Sequence, residues 1–189
     1  MKVTLATLIL VVIVVPATLA QDKPTVPFYG NEKCPVMGKA VNKRWAYEVD
    51  GQRIYTCCRK CWKAVKAEPK KHLAKAYPQD KVKTIKVDKC PISGKEIKGD
   101  KAVVWQGHKV PVCCDRCAKA FLKEPNKRLA LTLNKKLKEA KNKICPIMPE
   151  EKVEPDMFIL YKGNLINICC DSCVTDAQDD PKKHLKKFQ

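Results

Sequence analysis

Three groups of four cysteines, spaced alike, are the feature that most restricts how this sequence can fold. Each group begins with Cys-Pro and ends with a cysteine doublet followed by one more cysteine: CPVMGK and CCRKC, then CPISGK and CCDRC, then CPIMPE and CCDSC. The opening cysteine precedes the doublet by 23 residues in the first two copies and by 24 in the third. All twelve cysteines belong to this scheme. Repetition at a constant period indicates three tandem copies of one small unit.

Each copy contains the same pattern of predicted elements between and after its cysteines. Apolar and β-branched residues flank an X-Gly pair, which predicts a tight two-stranded hairpin. The pairs are Asp50-Gly51, Gln106-Gly107 and Lys162-Gly163. A helical run follows the doublet and is stopped by a proline eight residues after the last cysteine, where a second short helix is expected to begin. These prolines are Pro69, Pro125 and Pro181.

We therefore predict a small α+β protein made of three modules, each a cysteine knuckle, a β-hairpin and one or two helices. The expected boundaries are residues 30–77, 86–131 and 141–189. Units of this size bury too little apolar surface to fold on packing alone and need a metal ion or disulfides. The lysine-rich stretch after the second unit has helical spacing at Leu131, Leu137 and Ala140, which suggests a spacer helix.

The first twenty residues have the layout of a secretory signal peptide. Lys2 precedes an apolar run from Leu5 to Val15, and small residues lead to a predicted cleavage site after Ala20. The apolar run is shorter than a membrane span needs, and no later stretch approaches that length. We expect a secreted or periplasmic protein with no transmembrane segment after cleavage.

The chain is strongly basic, with 38 Lys and Arg against 20 Asp and Glu, a formal net charge of +18. Such a balance often indicates nucleic-acid binding. Here the lysines are scattered, aromatic residues are few and the protein is expected to be exported, so no nucleic-acid partner is predicted. The charge is interpreted as a solvated surface, with a weak attraction to anionic lipid or cell-wall polymer as the alternative.

The combination of Cys-Pro-(Val/Ile)-Ser-Gly-Lys, a hairpin, CC-x-x-C, an aromatic-containing helix and Pro-x-Lys-x-Leu resembles the YHS domain and the related TRASH domain. The resemblance implies a small treble-clef-like zinc-binding module and a role in heavy-metal handling. It assigns three cysteines per copy as ligands: Cys34, Cys57 and Cys61; Cys90, Cys113 and Cys117; Cys145, Cys169 and Cys173. The second copy fits best, and the third departs from the pattern at Pro149-Glu150.

The fourth ligand is either the second cysteine of the doublet or a histidine. The doublet cysteine occurs in every copy, as Cys58, Cys114 and Cys170. His72 and His184 occupy equivalent positions, but the middle copy has Arg128 there, which disfavours histidine. Adjacent residues on a strand point to opposite faces, so the doublet can share one ion only if the chain turns there. Otherwise that thiol is a filler or free, and the metal keeps an open position.

The predicted function is capture or buffering of a thiophilic cation, with Zn2+ as the default and Cu+ as the alternative, and with a metal transporter or acceptor protein as partner. Met37 and Met148, three residues after the first cysteine, are interpreted as core fillers, although thioethers also favour Cu+. A disulfide-stapled extracytoplasmic protein and a zinc-stabilised interaction module are the alternatives. Redox catalysis by Cys-x-x-Cys is disfavoured, since the thioredoxin-like βαβ context is missing; we expect no enzyme activity.

Overall fold

A computed structural model describes residues 23–188. The predicted signal peptide and its cleavage site lie outside these residues. The described chain forms three similar α+β modules, each with a β-hairpin followed by two helices. Their elements are β1 (Asn42–Val49), β2 (Gln52–Thr56), α1 (Arg59–Ala67) and α2 (Pro69–Ala76) in the first; β4 (Ala102–Trp105), β5 (His108–Pro111), α3 (Asp115–Phe121) and α4 (Pro125–Leu133) in the second; β7 (Phe158–Tyr161), β8 (Asn164–Asn167), α5 (Ser172–Asp179) and α6 (Pro181–His184) in the third.

The hairpin turns are the two-residue turns that the X-Gly pairs predict. Both turn residues have positive φ in every copy, for example 48° at Asp50 and 74° at Gly51. This left-handed pair twists the backbone in the direction that antiparallel strands require, and glycine adopts it without a Cβ penalty. The three hairpins thus confirm the sequence prediction.

The paired helices also follow the prediction. In each module the second helix begins with a proline in its first turn, where its missing N–H is no loss. The first helix ends two to four residues before that proline. The prediction of a knuckle, a hairpin and helical turns per unit is therefore confirmed at the level of elements.

Two short parallel strands were missed by the sequence analysis. β3 (Lys83–Thr84) pairs with β5, and β6 (Lys138–Glu139) pairs with β8. Each makes the following hairpin a three-stranded sheet, in the orders β3-β5-β4 and β6-β8-β7. The connecting stretches between modules are thus partly built into the sheets that follow them.

The predicted spacer helix after the second module is wrong. α4 ends at Leu133, and the chain then turns and becomes extended. The N–H groups of Lys138 and Ala140 donate to the carbonyls of Gly163 and Leu165, each at 2.9 Å. Pairing with a distant strand has overridden the helical spacing of Leu137 and Ala140, which periodicity alone cannot foresee.

Each module has a core of its own, and the cores differ in size. The second and third are larger, built around Trp105 and Phe121 and around Tyr161 and Ile166. The apolar cluster of the first is smaller, with Val49, Ile54 and Val65 as its buried members. Since such small cores contribute little stability, the first module depends most on whatever links its cysteines.

The modules contact one another. Phe158 and Leu165 of the third module pack with Ala130 of α4, together with Leu131 and the N-terminal Tyr29. The Lys127 ammonium, 6% exposed, contacts Glu124 of its own helix and lies 3.5 Å from Glu139, which leads into the third module. A buried cation of this kind requires partners, so the ion pairs hold α4 against its neighbour.

Candidate metal centres

The knuckle turn aims backbone N–H groups at the first cysteine of each module. In the first module, Cys34 N–H donates to Lys39 C=O at 2.7 Å and Gly38 N–H donates to Cys34 C=O at 2.8 Å. Gly38 has φ of 67°, a conformation that favours glycine. The N–H groups of Val36 and Met37 then point at the Cys34 sulfur. The second module repeats this turn from Cys90 to Lys95 with the same two hydrogen bonds.

The third knuckle is longer by one residue. Cys145 N–H donates to the carbonyl of Glu151 at 2.9 Å, one position later than in the other copies. The extra residue between knuckle and doublet therefore lies in this turn. Although Pro149 and Glu150 replace Gly-Lys, Cys145 is 1% exposed and its sulfur still faces the other thiols.

The chain turns at the doublet, as a shared ion would require. β2, β5 and β8 end at Thr56, Pro111 and Asn167, before the doublet begins. The two doublet sulfurs then lie 3.9, 3.8 and 3.7 Å apart in the three modules. The rule that neighbouring strand residues face opposite ways does not apply to them, because they lie beyond the strand.

The knuckle cysteine, the first doublet cysteine and the helix cysteine come together in every module. Their sulfurs lie within 4.8 Å of one another in three groups: Cys34, Cys57 and Cys61; Cys90, Cys113 and Cys117; Cys145, Cys169 and Cys173. The first doublet and helix sulfurs are 3.6, 3.6 and 3.5 Å apart. Thiolates at ~2.3 Å from a tetrahedral zinc ion are about 3.8 Å apart, so these spacings fit a shared ion.

The second doublet cysteine stands beside each group without being part of it. Cys58 lies 3.7 Å from Cys61, and Cys170 lies 3.3 Å from Cys173. Both are partly exposed, as is Cys114. Cys113 and Cys114 line an open depression of about 520 Å³ with Lys95 and Lys98. This partly exposed thiol could therefore complete a four-sulfur set in each centre.

The cysteines of one module differ in acidity. Burial opposes ionisation of Cys90, but hydrogen bonds from the Ser93 hydroxyl and from the backbone N–H groups of Cys113, Ser93 and Ile92 outweigh it and lower its pKa to about 6. The Ser172 hydroxyl lowers the pKa of Cys170 to about 7, and the backbone N–H of Cys173 contributes less to the same shift. These donors stabilise the thiolate, the form that binds metals.

The helix cysteine has a raised pKa in every module, opposite to the knuckle cysteine. Burial, followed by hydrogen bonding to Cys113, raises the pKa of Cys117 to about 12. The pKa values of Cys61 and Cys173 are raised for the same first reason. A centre of this kind holds protons on its buried thiol until a cation displaces them.

The histidines lie outside the thiol groups. His72 is buried on α2 and its Nδ1 has no hydrogen-bond partner among the described residues. His184 ends α6. The equivalent Arg128 pairs with Glu124 at 2.8 Å. No group of metal-ligating side chains within residues 23–188 includes a histidine.

The sequence analysis missed an asparagine clamp three residues before the knuckle cysteine. The amide oxygen of Asn31 accepts from Tyr55 N–H, and its NH2 donates to Tyr55 C=O, both at 2.8 Å. Asn142 does the same to Asn167 in the third module. The second module has Val87 there, opposite Pro111, which has no N–H to donate. A position-by-position comparison of the three copies would have shown that asparagine is replaced by valine in the copy whose opposite residue is proline.

The fold and the clusters define a small mixed α+β protein with three similar cysteine-rich modules, each bringing three thiols to metal-binding distance. No known protein family matches the chain, and neither curated proteins nor solved structures give a significant match. Within residues 23–188, no helix has the length and apolar character needed to cross a bilayer.

Proposed function

We propose that this protein is an exported metal-binding protein that captures or buffers a thiophilic cation, with Zn2+ as the default ion and Cu+ as the alternative. The observation that carries the proposal is the convergence of three sulfurs from separate parts of each module, in all three modules. Spacings of 3.5–3.7 Å suit thiolates around one ion. Three centres on one chain would let each molecule hold several ions, as a buffering protein must.

We place the metal on the three clustered cysteines of each module and assign the second doublet cysteine as the exchangeable fourth ligand. Its partial exposure supports this assignment, and so does its lowered pKa, which arises in Cys58 first from the backbone N–H of Cys61. An accessible thiolate can accept an ion from a donor and release it to an acceptor, while three inner sulfurs hold it. A metal transporter or an acceptor protein is the partner that this exchange requires.

The repeated motif supports our assignment of the modules to the YHS and TRASH type. Export is supported by the apolar stretch that ends before Ala20. Basic residues support a thiolate centre as well, since a four-thiolate zinc site carries a net charge of −2 that nearby lysines offset.

The deciding experiment is elemental analysis with a free-thiol count on the full chain purified from an oxidising compartment. We expect about three ions per chain, one for each thiol group, and no disulfides. The Cys34→Ser variant should lower the count to about two, whereas Cys58→Ser should keep the count and speed the transfer of metal to a chelator, because one coordination position is then open. Cys34 and Cys58 are thus a matched pair of substitutions within one centre.

Two results would contradict the proposal. Absence of both bound ions and free thiols would favour a disulfide-stapled protein. Ions that a chelator removes only when the chain unfolds would favour a zinc-stabilised interaction module, because a buffering protein must release metal from its folded state.

A further inference from the structure

One position distinguishes the three centres from one another. The third residue after the knuckle cysteine is Met37 in the first module, Ser93 in the second and Met148 in the third. Met37 is 54% exposed. The Ser93 hydroxyl lies 3.3 Å from the Cys113 sulfur, and the Met148 thioether sulfur lies 3.8 Å from the Cys169 sulfur. Only the third centre, within the described chain, has a fifth sulfur among these contacts.

The longer third knuckle closes differently around Met148. Because that turn closes on Glu151, it has room for a further hydrogen bond, from Glu151 N–H to Met148 C=O at 3.0 Å. Met148 packs against the core of the third module beside Cys169 and Cys170. The first knuckle closes one residue earlier, and its methionine remains in solvent. A methionine at this position therefore lies beside the doublet sulfur in the third module but not in the first.

The charge of one residue beside the helix cysteine also distinguishes the third centre from the first two. The residue before the helix cysteine is Lys60 in the first module, Arg116 in the second and Ser172 in the third. This position therefore carries a positive charge in the first two modules and none in the third. A thioether is an uncharged ligand, so a centre without that cation gains a donor without gaining negative charge.

From these observations we infer that the third centre is a Cu+ site in which the Met148 thioether is a ligand alongside cysteine sulfurs, while the first two centres bind through thiolates alone. Thioether sulfur selects soft Cu+, whereas zinc sites use thiolate, imidazole and carboxylate ligands. The inference rests on the proposed metal-binding function and names the ion that one of its three centres takes.

The test is X-ray absorption at the selenium edge on full-length selenomethionine protein, given one equivalent of Cu+ without oxygen. A copper neighbour at bonding distance from selenium is expected in the wild type. Met148→Leu should abolish that signal. Met37→Leu and Met157→Leu, which alter an exposed methionine and one packed in the same core, should leave it unchanged.

A chelator competition adds an affinity measurement. Met148→Leu should weaken the tightest Cu+ binding by about tenfold, as loss of a tuning ligand commonly does, while zinc stoichiometry stays at that of the wild type. Bound copper with no selenium neighbour, or a signal that survives Met148→Leu, would overturn the inference and leave the metal-binding proposal standing. A wild-type chain that binds neither Cu+ nor Zn2+ would overturn both.

Discussion

The knuckle cysteine and the helix cysteine of one module respond to their surroundings in opposite ways. Donors from the turn surround the first, whereas the second is buried beneath other sulfurs. The sequence predicted which thiols would meet, because the spacing of cysteines around a turn and a helix start is a local property. It did not show that Ser93 or Met148 would reach a neighbouring sulfur, since that depends on how each knuckle closes.

We predict that Ser93 controls the acidity of Cys90. Cys90 has a folded pKa of about 6 against an ordinary 9.0, so its thiolate stabilises the metal-free fold fully above pH 9.0 and loses that contribution as pH falls through about 6. Ser93→Ala should raise the pKa of Cys90 and flatten the rise of stability across this range. Urea unfolding of the reduced, metal-free protein at several pH values measures it.

Cys117 determines how the stability of the metal-free fold changes at high pH. Its pKa of about 12 keeps it protonated in the folded state when the unfolded chain ionises, so stability should fall above pH 9. Ser172→Ala, which removes the hydroxyl beside Cys170, is the matched control and should leave the titration of Cys90 unchanged. An unaltered Cys90 titration in Ser93→Ala would contradict the assignment.

At the scale of elements, the sequence predicted the structures that depend on local patterns but missed those that depend on long-range strand pairing. The X-Gly turns and the helices begun by proline follow from backbone preferences of single residues, and the structure contains them. β3 and β6 are two residues long and exist because they pair with β5 and β8. No periodicity can develop in so short a segment, so the stretch around Leu137 was misread as helix.

The asparagine clamp ties the knuckle to the hairpin, and its removal should be costly. Asn31 is 8% exposed and bonds both the N–H and C=O of Tyr55. Asn31→Ala leaves these buried groups unpaired, so we expect a loss of about 1–3 kcal/mol in the free energy of unfolding.

Chemical denaturation of the metal-free chain measures that loss. Asn134→Ala is a suitable control, because Asn134 makes a comparable bond to Lys136 N–H at the exposed surface. Its cost should be small. Equal losses in the two variants would show that the clamp has no special role in joining knuckle and hairpin.

At the scale of the whole molecule, the modules are joined by contacts that cross their boundaries. Asp156 of the third module accepts hydrogen bonds from the N–H groups of Asn126 and Lys127, at 3.1 and 2.8 Å, and so caps α4 of the second. Gln52 of the first accepts from Gln106 N–H at 3.1 Å. The internal repeat does not reveal these contacts, because they join residues of different modules.

We predict that Asp156→Ala uncouples the second and third modules. Loss of the cap should reduce stability by about 1–2 kcal/mol and separate their unfolding into distinct transitions. Asp180→Ala removes a cap within the third module, where Asp180 accepts from Lys183 N–H at 3.0 Å, and should lower stability without splitting the transition.

Residue-resolved hydrogen exchange distinguishes these two effects. Amides of α4 and β8 should lose protection together in the wild type and in Asp180→Ala, but separately in Asp156→Ala. A single transition in both variants would mean that the apolar contact of Ala130 with Phe158 suffices to couple the modules.

The N-terminal segment has a consequence for the order in which the chain matures. Thr25 pairs with Leu160 of β7, and the Gln178 side chain donates to the carbonyl of Pro24, a contact spanning 154 residues. Pro24 and Thr25 are synthesised well before the third module, and contacts between such distant residues form late in folding. During synthesis, these contacts of Pro24 and Thr25 therefore form only after β7 and α5 have emerged.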